Sequence, residues 1–384
     1  MKPRSLAILG STGSIGLNTL KVVDQNPHRF QVKALSAYNN FELLEGQIKK
    51  YKPSHVAVGA QGLAHFKRIG IKGVKFYHAR DCARIASLKE VDVVVLAMQG
   101  TSALMPFLEA LRAGKTVAPA NKEALVIAGD LIMSEAAKHK ARIIPVDSEQ
   151  SAIFQCLDGQ KQKPVCVHLT ASGGPLRNVR LNDFKRLTRK DILRHPRWKM
   201  GPKITVDSAT MMNKGFEVIE AMHLFNLSIG QIKVLVHPES VVHSLVEFAD
   251  GSLLAQLGVT DMRLPIQYAL TYPQRLPTGL GKLDLVQLGS FHFEGPDLKK
   301  FPSLGLAYKV AGQAGTLPAV LIAADQEAVE AFLKGKIDFL SIYKVVEKVV
   351  LRHKIIKHPS LQDILQTDEW ARAEAVREIL NSKL

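Results

Sequence analysis

The sequence predicts an α/β protein: an N-terminal Rossmann-like doubly wound parallel sheet, a central α+β catalytic domain and a C-terminal helical bundle. Three observations carry this expectation. Short apolar, β-branched runs alternate with helix-length stretches from Leu6 to Val146, a glycine-rich turn follows the first run, and helical periodicity alone remains beyond Pro302.

Taken in order, Leu6–Leu9, Val32–Leu35, Val56–Val58, Val91–Leu96, Thr116–Pro119 and Ile143–Val146 read as strands buried on both faces, as a parallel sheet requires. Between them Ile15–Gln25, Phe41–Lys50, Ala103–Ala113 and Lys122–Lys140 carry helical patterning. Past Asp147 the runs Val165–Leu169, Lys233–Val236, Ser240–Phe248 and Ser252–Leu257 follow with fewer helices between, and Asp250-Gly251 is a hairpin signal. Thr271–Pro302 is rich in Pro, Gly and Leu without periodicity and reads as a connection. Ala307–Lys334, Ile337–His353 and Glu369–Leu380 return to helical spacing. The expected domains are therefore 1–147 (nucleotide-binding), 148–271 (catalytic, with a lid over 177–200), 272–301 (linker) and 302–384 (helical).

Composition narrows the class. A chain of 384 residues, 46% hydrophobic, can bury a sizeable core. Its three cysteines, Cys82, Cys156 and Cys166, are odd in number and lack a CxxC spacing, which argues against a disulfide framework or a thiolate zinc site and for core fillers in a reducing compartment. The first residues lack secretory-signal grammar and no apolar run reaches bilayer-spanning length, so no membrane association and a cytoplasmic location are expected. A formal charge of +16 gathers anions. Because the basic residues are dispersed and aromatics sparse, phosphorylated metabolites are favoured over nucleic acid.

Gly10-Ser11-Thr12-Gly13-Ser14-Ile15-Gly16 follows the first strand and opens a helix, where free N–H groups and the positive dipole end suit a pyrophosphate. The second strand ends Leu35-Ser36-Ala37-Tyr38-Asn39-Asn40 without the carboxylate that would bind an NAD ribose, which favours NADPH. Asp147 and Glu149, two apart at a strand end, could present paired carboxylates to Mg²⁺ or Mn²⁺; Asp147 with Gln150 is equally a helix-capping pattern. Asn213, Lys214, Glu217 and Glu220 make one polar stripe on an otherwise apolar helix, so they are either buried and engaged or a solvated face with a Lys214–Glu217 pair. Ala171-Ser172-Gly173-Gly174-Pro175 is either a phosphate nest or a plain turn, and basic, weakly periodic Arg177–Lys199 suggests a lid with an aromatic tip at Trp198.

GSTGSIG, APANKEALV, PVDSEQSA, TASGGPL, HPRWKMG, VDSATMMNKGFEVIEA, HPESVVHS and LAQLGVTDMR together resemble the 1-deoxy-D-xylulose 5-phosphate reductoisomerase family, in order, over essentially the whole chain. The resemblance implies an NADPH- and metal-dependent oxidoreductase of non-mevalonate isoprenoid biosynthesis, which rearranges a ketose phosphate and reduces the resulting aldehyde. It implies cofactor contacts at Thr12, Gly13, Ser14, Ile15, Tyr38, Asn39, Asn40, Asn121, Glu123 and Gly201. Substrate contacts fall on Lys122, Ser148, Glu149, Ser172, His195, Trp198, Ser208, Asn213, Lys214 and Glu217. Asp147, Glu149 and Glu217 match the ligands of Mg²⁺ or Mn²⁺, with Glu220 as support, and with Lys122 and His195 they make the catalytic set. His243 and Met262 match further active-site positions. A homodimer is expected. The sequence departs from the pattern at Tyr38 and Asn39, where relatives tend to carry Gly then Lys or Ser, and at Thr260, which replaces a frequent proline.

Two other classes compete. A metal-free NADP-dependent semialdehyde dehydrogenase shares the glycine turn but needs a nucleophilic cysteine, and none of the three stands beside a histidine or in an exposed Gly/Asn-rich turn. A nucleic-acid-binding protein is supported by charge alone.

Overall fold

A computed structural model describes residues 2–194 and 200–381. The chain divides into two compact units, the first made of residues 1–124, 130–151 and 261–282, the second of 125–129, 152–260 and 283–384.

The first unit is built on a parallel sheet of seven strands in the order β4-β3-β2-β1-β5-β6-β7, where β1 is Arg4–Leu9, β2 Phe30–Ala37, β3 His55–Val58, β4 Lys75–His78, β5 Val93–Leu96, β6 Thr116–Pro119 and β7 Arg142–Ile143. The order reverses direction at β1, which pairs with β2 on one side and β5 on the other, so the chain after β1 emerges at the topological switch point where such sheets bind ligands. Leu6, Ala7, Ile8 and Leu9 of β1 and Val94, Val95 and Leu96 of β5 are fully buried, as their uninterrupted apolar character requires. The elements that escape sequence reading here include the strand β4 and the helices Ala60–Ile69, Cys82–Ala86 and Arg263–Thr271. β4 reads Lys-Phe-Tyr-His and lies at the sheet edge, where half-exposure hides a strand's apolar signature. The expected strand Ile143–Val146 is corrected to β7, Arg142–Ile143: Ile144 and Val146 still donate to the carbonyls of Val117 and Pro119, at 2.9 and 3.0 Å, and Pro145 between them turns its missing N–H to the outer edge, where no ladder bond is lost.

In the second unit a mixed sheet of order β11-β10-β8-β9 combines β8 (Cys166–Ala171), β9 (Ile232–Val236), β10 (Val242–Glu247) and β11 (Leu253–Leu257). The hairpin at Asp250-Gly251 forms as its sequence predicts, with Gly251 at φ 84° and Asp250 Oδ1 accepting from the Ser252 N–H at 3.0 Å. The helix Leu317–Leu333 is buried on nearly every side and packs against Phe339–Arg352 and Leu361–Asn381; Ala314-Gly315 separates it from Pro302–Gln313. The expected connection 272–301 carries a short helix at Leu285–Leu288 and one bridge from Glu294 to Val236. Among the described residues no helix is long and apolar enough to cross a membrane.

Candidate active site

The glycine turn of the first unit is clamped by backbone. Gly10 sits at φ 91°, and its N–H donates to the Ser36 carbonyl and hydroxyl at the end of β2, at 3.1 and 2.9 Å. A Cβ at Gly10 would stand 2.5 Å from the Ala97 carbonyl oxygen, so only glycine fits. Fully buried Ser11 donates to Gln47 Oε1 at 2.7 Å while Gln47 Nε2 donates back to the Ser11 carbonyl at 3.0 Å. Gly13 then caps the helix Ser14–Gln25 without any side-chain hydrogen bond, and Gly13 and Ser14 are exposed beside half-buried Thr12 and Ile15. The turn thus offers a helix N-terminus to solvent, the requirement for an anion. Tyr38, Asn39 and Asn40 are all exposed at the end of β2; Asn40 caps the helix Phe41–Tyr51 by accepting from the Leu43 N–H at 3.2 Å. Ser36 and Gln47, which fix the turn, were missed because neither stands in a motif; a polar residue inside an apolar strand or on a helix's apolar face was the available signal.

At the end of β6 the chain places three predicted residues in a row. Asn121, buried, donates to the carbonyls of Met98 and Gly100 and accepts from the Ala124 N–H. Lys122 is 7% exposed, and its ammonium lies 2.7 Å from Asp147 Oδ2. Glu123 opens the helix that follows. Asp147 and Glu149 are not two residues of one strand, as their alternation suggested. Asp147 precedes the helix Ser148–Leu157 and Glu149 lies in its first turn, where Ser148 Oγ donates to Glu149 Oε2 at 2.5 Å. Met262 precedes the helix Arg263–Thr271 in this same unit.

The second unit assembles another set. Met211, at φ 60°, ends the helix Pro202–Thr210 and begins Met212–Phe225, so one residue turns the chain and sets the stripe's direction. Glu217 is 1% exposed; Asn213 Nδ2 donates to its Oε1 at 2.6 Å and buried Lys214 donates to its Oε2. The Lys214–Glu217 pair therefore exists, but buried rather than on a solvated face, and Glu220 is buried one turn on. Ser172 Oγ accepts from the Gly174 N–H at 3.2 Å. Gly174, at φ 68°, presses so closely on the helix Pro202–Thr210 that a Cβ would meet the Ser208 carbonyl at 2.4 Å, which brings the Ser172 loop and Ser208 together. Gly201 caps that helix and its carbonyl accepts from Thr205 Oγ1 at 2.9 Å. His243 is buried on β10, and desolvation lowers its pKa from 6.5 to about 4, leaving it a neutral ring. Lys203, unforeseen, bridges Asp207 and fully buried Asp325 at 2.5 and 2.8 Å, tying the Ser208 helix to Leu317–Leu333; that tie spans 122 positions, beyond any local pattern.

His195 and Trp198 lie outside the described residues. Of the stretch expected as a lid, 177–194 is fastened to its own unit: Phe184 is buried against Phe339 and Phe301, and Arg189 donates to the Leu333 carbonyl at 2.9 Å. None of the three cysteines is in a disulfide and all are buried, as expected. Burial pushes the Cys82 thiol up to about 11 and raises that of Cys166, the reverse of what a nucleophile needs.

The architecture of the first unit, with its switch-point glycine turn, is that of the nucleotide-binding α/β class. The family model described as 1-deoxy-D-xylulose 5-phosphate reductoisomerase matches residues 6–129, and those of that enzyme's C-terminal domains match 143–225 and 257–374. The reductoisomerase of Pelotomaculum thermopropionicum is 47% identical over 98% of this chain and 100% of its own, and that of Moorella thermoacetica 49% identical over 97% of each. Among solved structures, DOX-P reductoisomerase in complex with NADPH, fosmidomycin and magnesium superposes with a TM-score of 0.93 at 40% identity, covering 99% of both chains. The Zymomonas mobilis reductoisomerase in complex with NADPH gives 0.91 at 40% identity, covering 98% of this chain and 99% of that one. The chain belongs to the 1-deoxy-D-xylulose 5-phosphate reductoisomerase family.

Proposed function

We propose that this protein converts 1-deoxy-D-xylulose 5-phosphate to 2-C-methyl-D-erythritol 4-phosphate, using NADPH and Mg²⁺ or Mn²⁺. The observation that carries the reading is the pair of buried lysine–carboxylate contacts, Lys122–Asp147 and Lys214–Glu217. Buried ion pairs contribute little net stability, so two of them on predicted site residues point to chemistry. Relatives solved with NADPH and with magnesium support the same reading.

Asp147, Glu149 and Glu217 are proposed as the metal ligands. Their donor set is all carboxylate, which suits a hard dication, and Asn213 and Lys214 already hold both Glu217 oxygens in fixed directions. The cation, when bound, would polarise the ketone and its neighbouring hydroxyl. Lys122 adds positive charge where oxygen becomes negative as the carbon–carbon bond migrates. Ser172, Ser208, Asn213 and Lys214 are assigned to the phosphate, whose binding energy orients the reacting carbons. His195 and Trp198 are assigned to the substrate. The exposed turn Thr12–Ile15 is assigned to the NADPH pyrophosphate, with Asn121, Glu123 and Gly201 as further contacts. The carboxylate-free end of β2, Tyr38–Asn40, would receive the 2′-phosphate. His243 stays uncharged and would pack or hydrogen-bond rather than attract the phosphate.

We also infer a homodimer in the cytoplasm. β11 is an unpaired sheet edge whose Leu253 and Leu254 are 54% and 40% exposed, a template for pairing, and three buried cysteines in no disulfide suit a reducing compartment. Light scattering after size exclusion tests the dimer. The activity is tested by NADPH oxidation with 1-deoxy-D-xylulose 5-phosphate, with and without chelator; oxidation that survives complete metal removal would refute it.

A further inference from the structure

The mixed sheet of the second unit gathers three unlike donors on one face. Cys166 and His168 stand two residues apart on β8 and so share a face, and the antiparallel register sets Glu247 of β10 opposite Cys166. One atom from each, the thiol sulfur, an imidazole nitrogen and a carboxylate oxygen, lies within 4.8 Å of the other two. His168 Nε2 is 3.2 Å from Glu247 Oε2, whereas its Nδ1 is buried with no hydrogen-bond partner. An orphaned buried ring nitrogen costs ~1–3 kcal/mol, which coordination at that atom, after a turn of the ring or of Glu247, would offset. Cys166 is nearly fully buried, its sulfur facing the Val167 carbonyl at 3.6 Å and the Lys233 backbone, and sulfur hydrogen bonds of this kind are weak.

We propose that Cys166, His168 and Glu247 form a second metal site, of the zinc class, separate in place and chemistry from the carboxylates assigned to the reaction. A thiolate, an imidazole and a carboxylate together select a borderline-soft dication and reject Mg²⁺, which wants oxygen alone. Three protein ligands leave the fourth tetrahedral position to water, admitted along half-exposed Glu247. Zinc bond lengths of about 2.0–2.3 Å place neighbouring donors roughly 3.3–3.8 Å apart, and the His168–Glu247 contact of 3.2 Å is already of that order. Binding forms the metal–sulfur bond and releases the Cys166 proton to solvent; thiolate and carboxylate then balance the dication, and affinity rises with pH. Lys233, beside His168 in the register, is the cation that must be accommodated. The occupied site would staple β8, which leads to Ser172, to β10, which carries His243. The missing CxxC spacing hid it, because its third ligand is 79 positions from His168.

The test uses the full chain, stripped with chelator, returned to excess Mg²⁺ to fill oxygen sites, then given Zn²⁺ or Co²⁺ and desalted. The expected result is about one zinc retained per chain, a thiolate-to-cobalt charge-transfer band, and a higher melting temperature with Zn²⁺. Cys166→Ser should abolish the band and the retention, while Glu217→Gln should keep both. No band in the native chain, equal zinc retention in Cys166→Ser, or loss only in Glu217→Gln would overturn the proposal. Should Cys166→Ser fail to fold, half-exposed Glu247→Gln carries the same reading through weakened zinc retention, and unchanged retention there counts against the site.

Discussion

The glycine turn of the first unit and the charged stripe of the second are built by opposite means. The turn uses backbone: Gly10 and Ser11 are held by Ser36 and Gln47, and the groups it presents are N–H donors of the helix Ser14–Gln25. The stripe uses side chains: Asn213, Lys214 and Glu217 point inward from a helix otherwise buried in apolar contact. Backbone sites tolerate side-chain change but no change of φ or close approach. Side-chain sites keep the fold's geometry when one group is altered but lose its charge balance.

Gly10→Ala breaks the first kind and has the largest expected effect. A Cβ there meets the Ala97 backbone at 2.5 Å, and φ 91° is strained for any other residue. A loss of about 4 kcal/mol or more in urea unfolding is expected. A loss under about 1 kcal/mol would show that the turn can relax and that its rigidity is not what the glycine supplies.

Glu217→Gln breaks the second kind. Turnover at saturating metal should fall at least ~10²-fold, nearly 3 kcal/mol of transition-state stabilisation. Because Lys214 is buried with Glu217, the substitution also removes one charge of a buried pair, so the melting temperature should drop too. Near-normal kcat rejects the metal assignment, and unchanged melting temperature rejects the account of the pair.

His243 sharpens the comparison by pH. Its folded pKa, about 4, lies below the ordinary 6.5, so the unfolded chain binds the proton first; the neutral ring's stability is complete above pH 6.5 and is lost as pH falls toward 4. Between pH 7 and pH 5 this group should remove about 2 kcal/mol of stability. His243→Gln should flatten that slope in parallel urea titrations, and an identical slope in both chains would remove the histidine from the account.

Legibility in the sequence followed range. Buried parallel strands, the Gly10–Gly16 turn and the stripe of Asn213 to Glu220 were readable, because each is a local pattern of residue type. β4 was not, since an edge strand shows no uninterrupted apolar run, and β7 was drawn too long because the apolar run continues past Ile143, where the regular strand ends. Across 177–194 weak periodicity gave no sign of the anchors Phe184, Arg189 and Ile192, whose partners lie far along the chain or in no regular pattern. Side-chain clamps such as Ser11–Gln47 and Lys203–Asp325 join residues 36 and 122 positions apart, and nothing in either neighbourhood announces the other.

The smallest expected effect probes the edge of the backbone-built site. Tyr38, Asn39 and Asn40 are exposed, and only Asn40 is committed locally, as a helix cap. Asn39 can therefore be changed without cost to the fold. If its side chain faces the adenosine ribose, an aspartate there would repel a 2′-phosphate and accept from a free 2′-hydroxyl, moving kcat/KM from NADPH toward NADH. An exposed like-charge contact is screened by solvent and salt, so the shift should be about tenfold, close to 1.4 kcal/mol, and should shrink at high ionic strength. The melting temperature should not move, which separates this variant from Gly10→Ala. An unchanged cofactor ratio at low salt places Asn39 away from the ribose and leaves the 2′-phosphate to other groups at the β2 end; a shift that persists undiminished in high salt points instead to a direct hydrogen bond with the ribose.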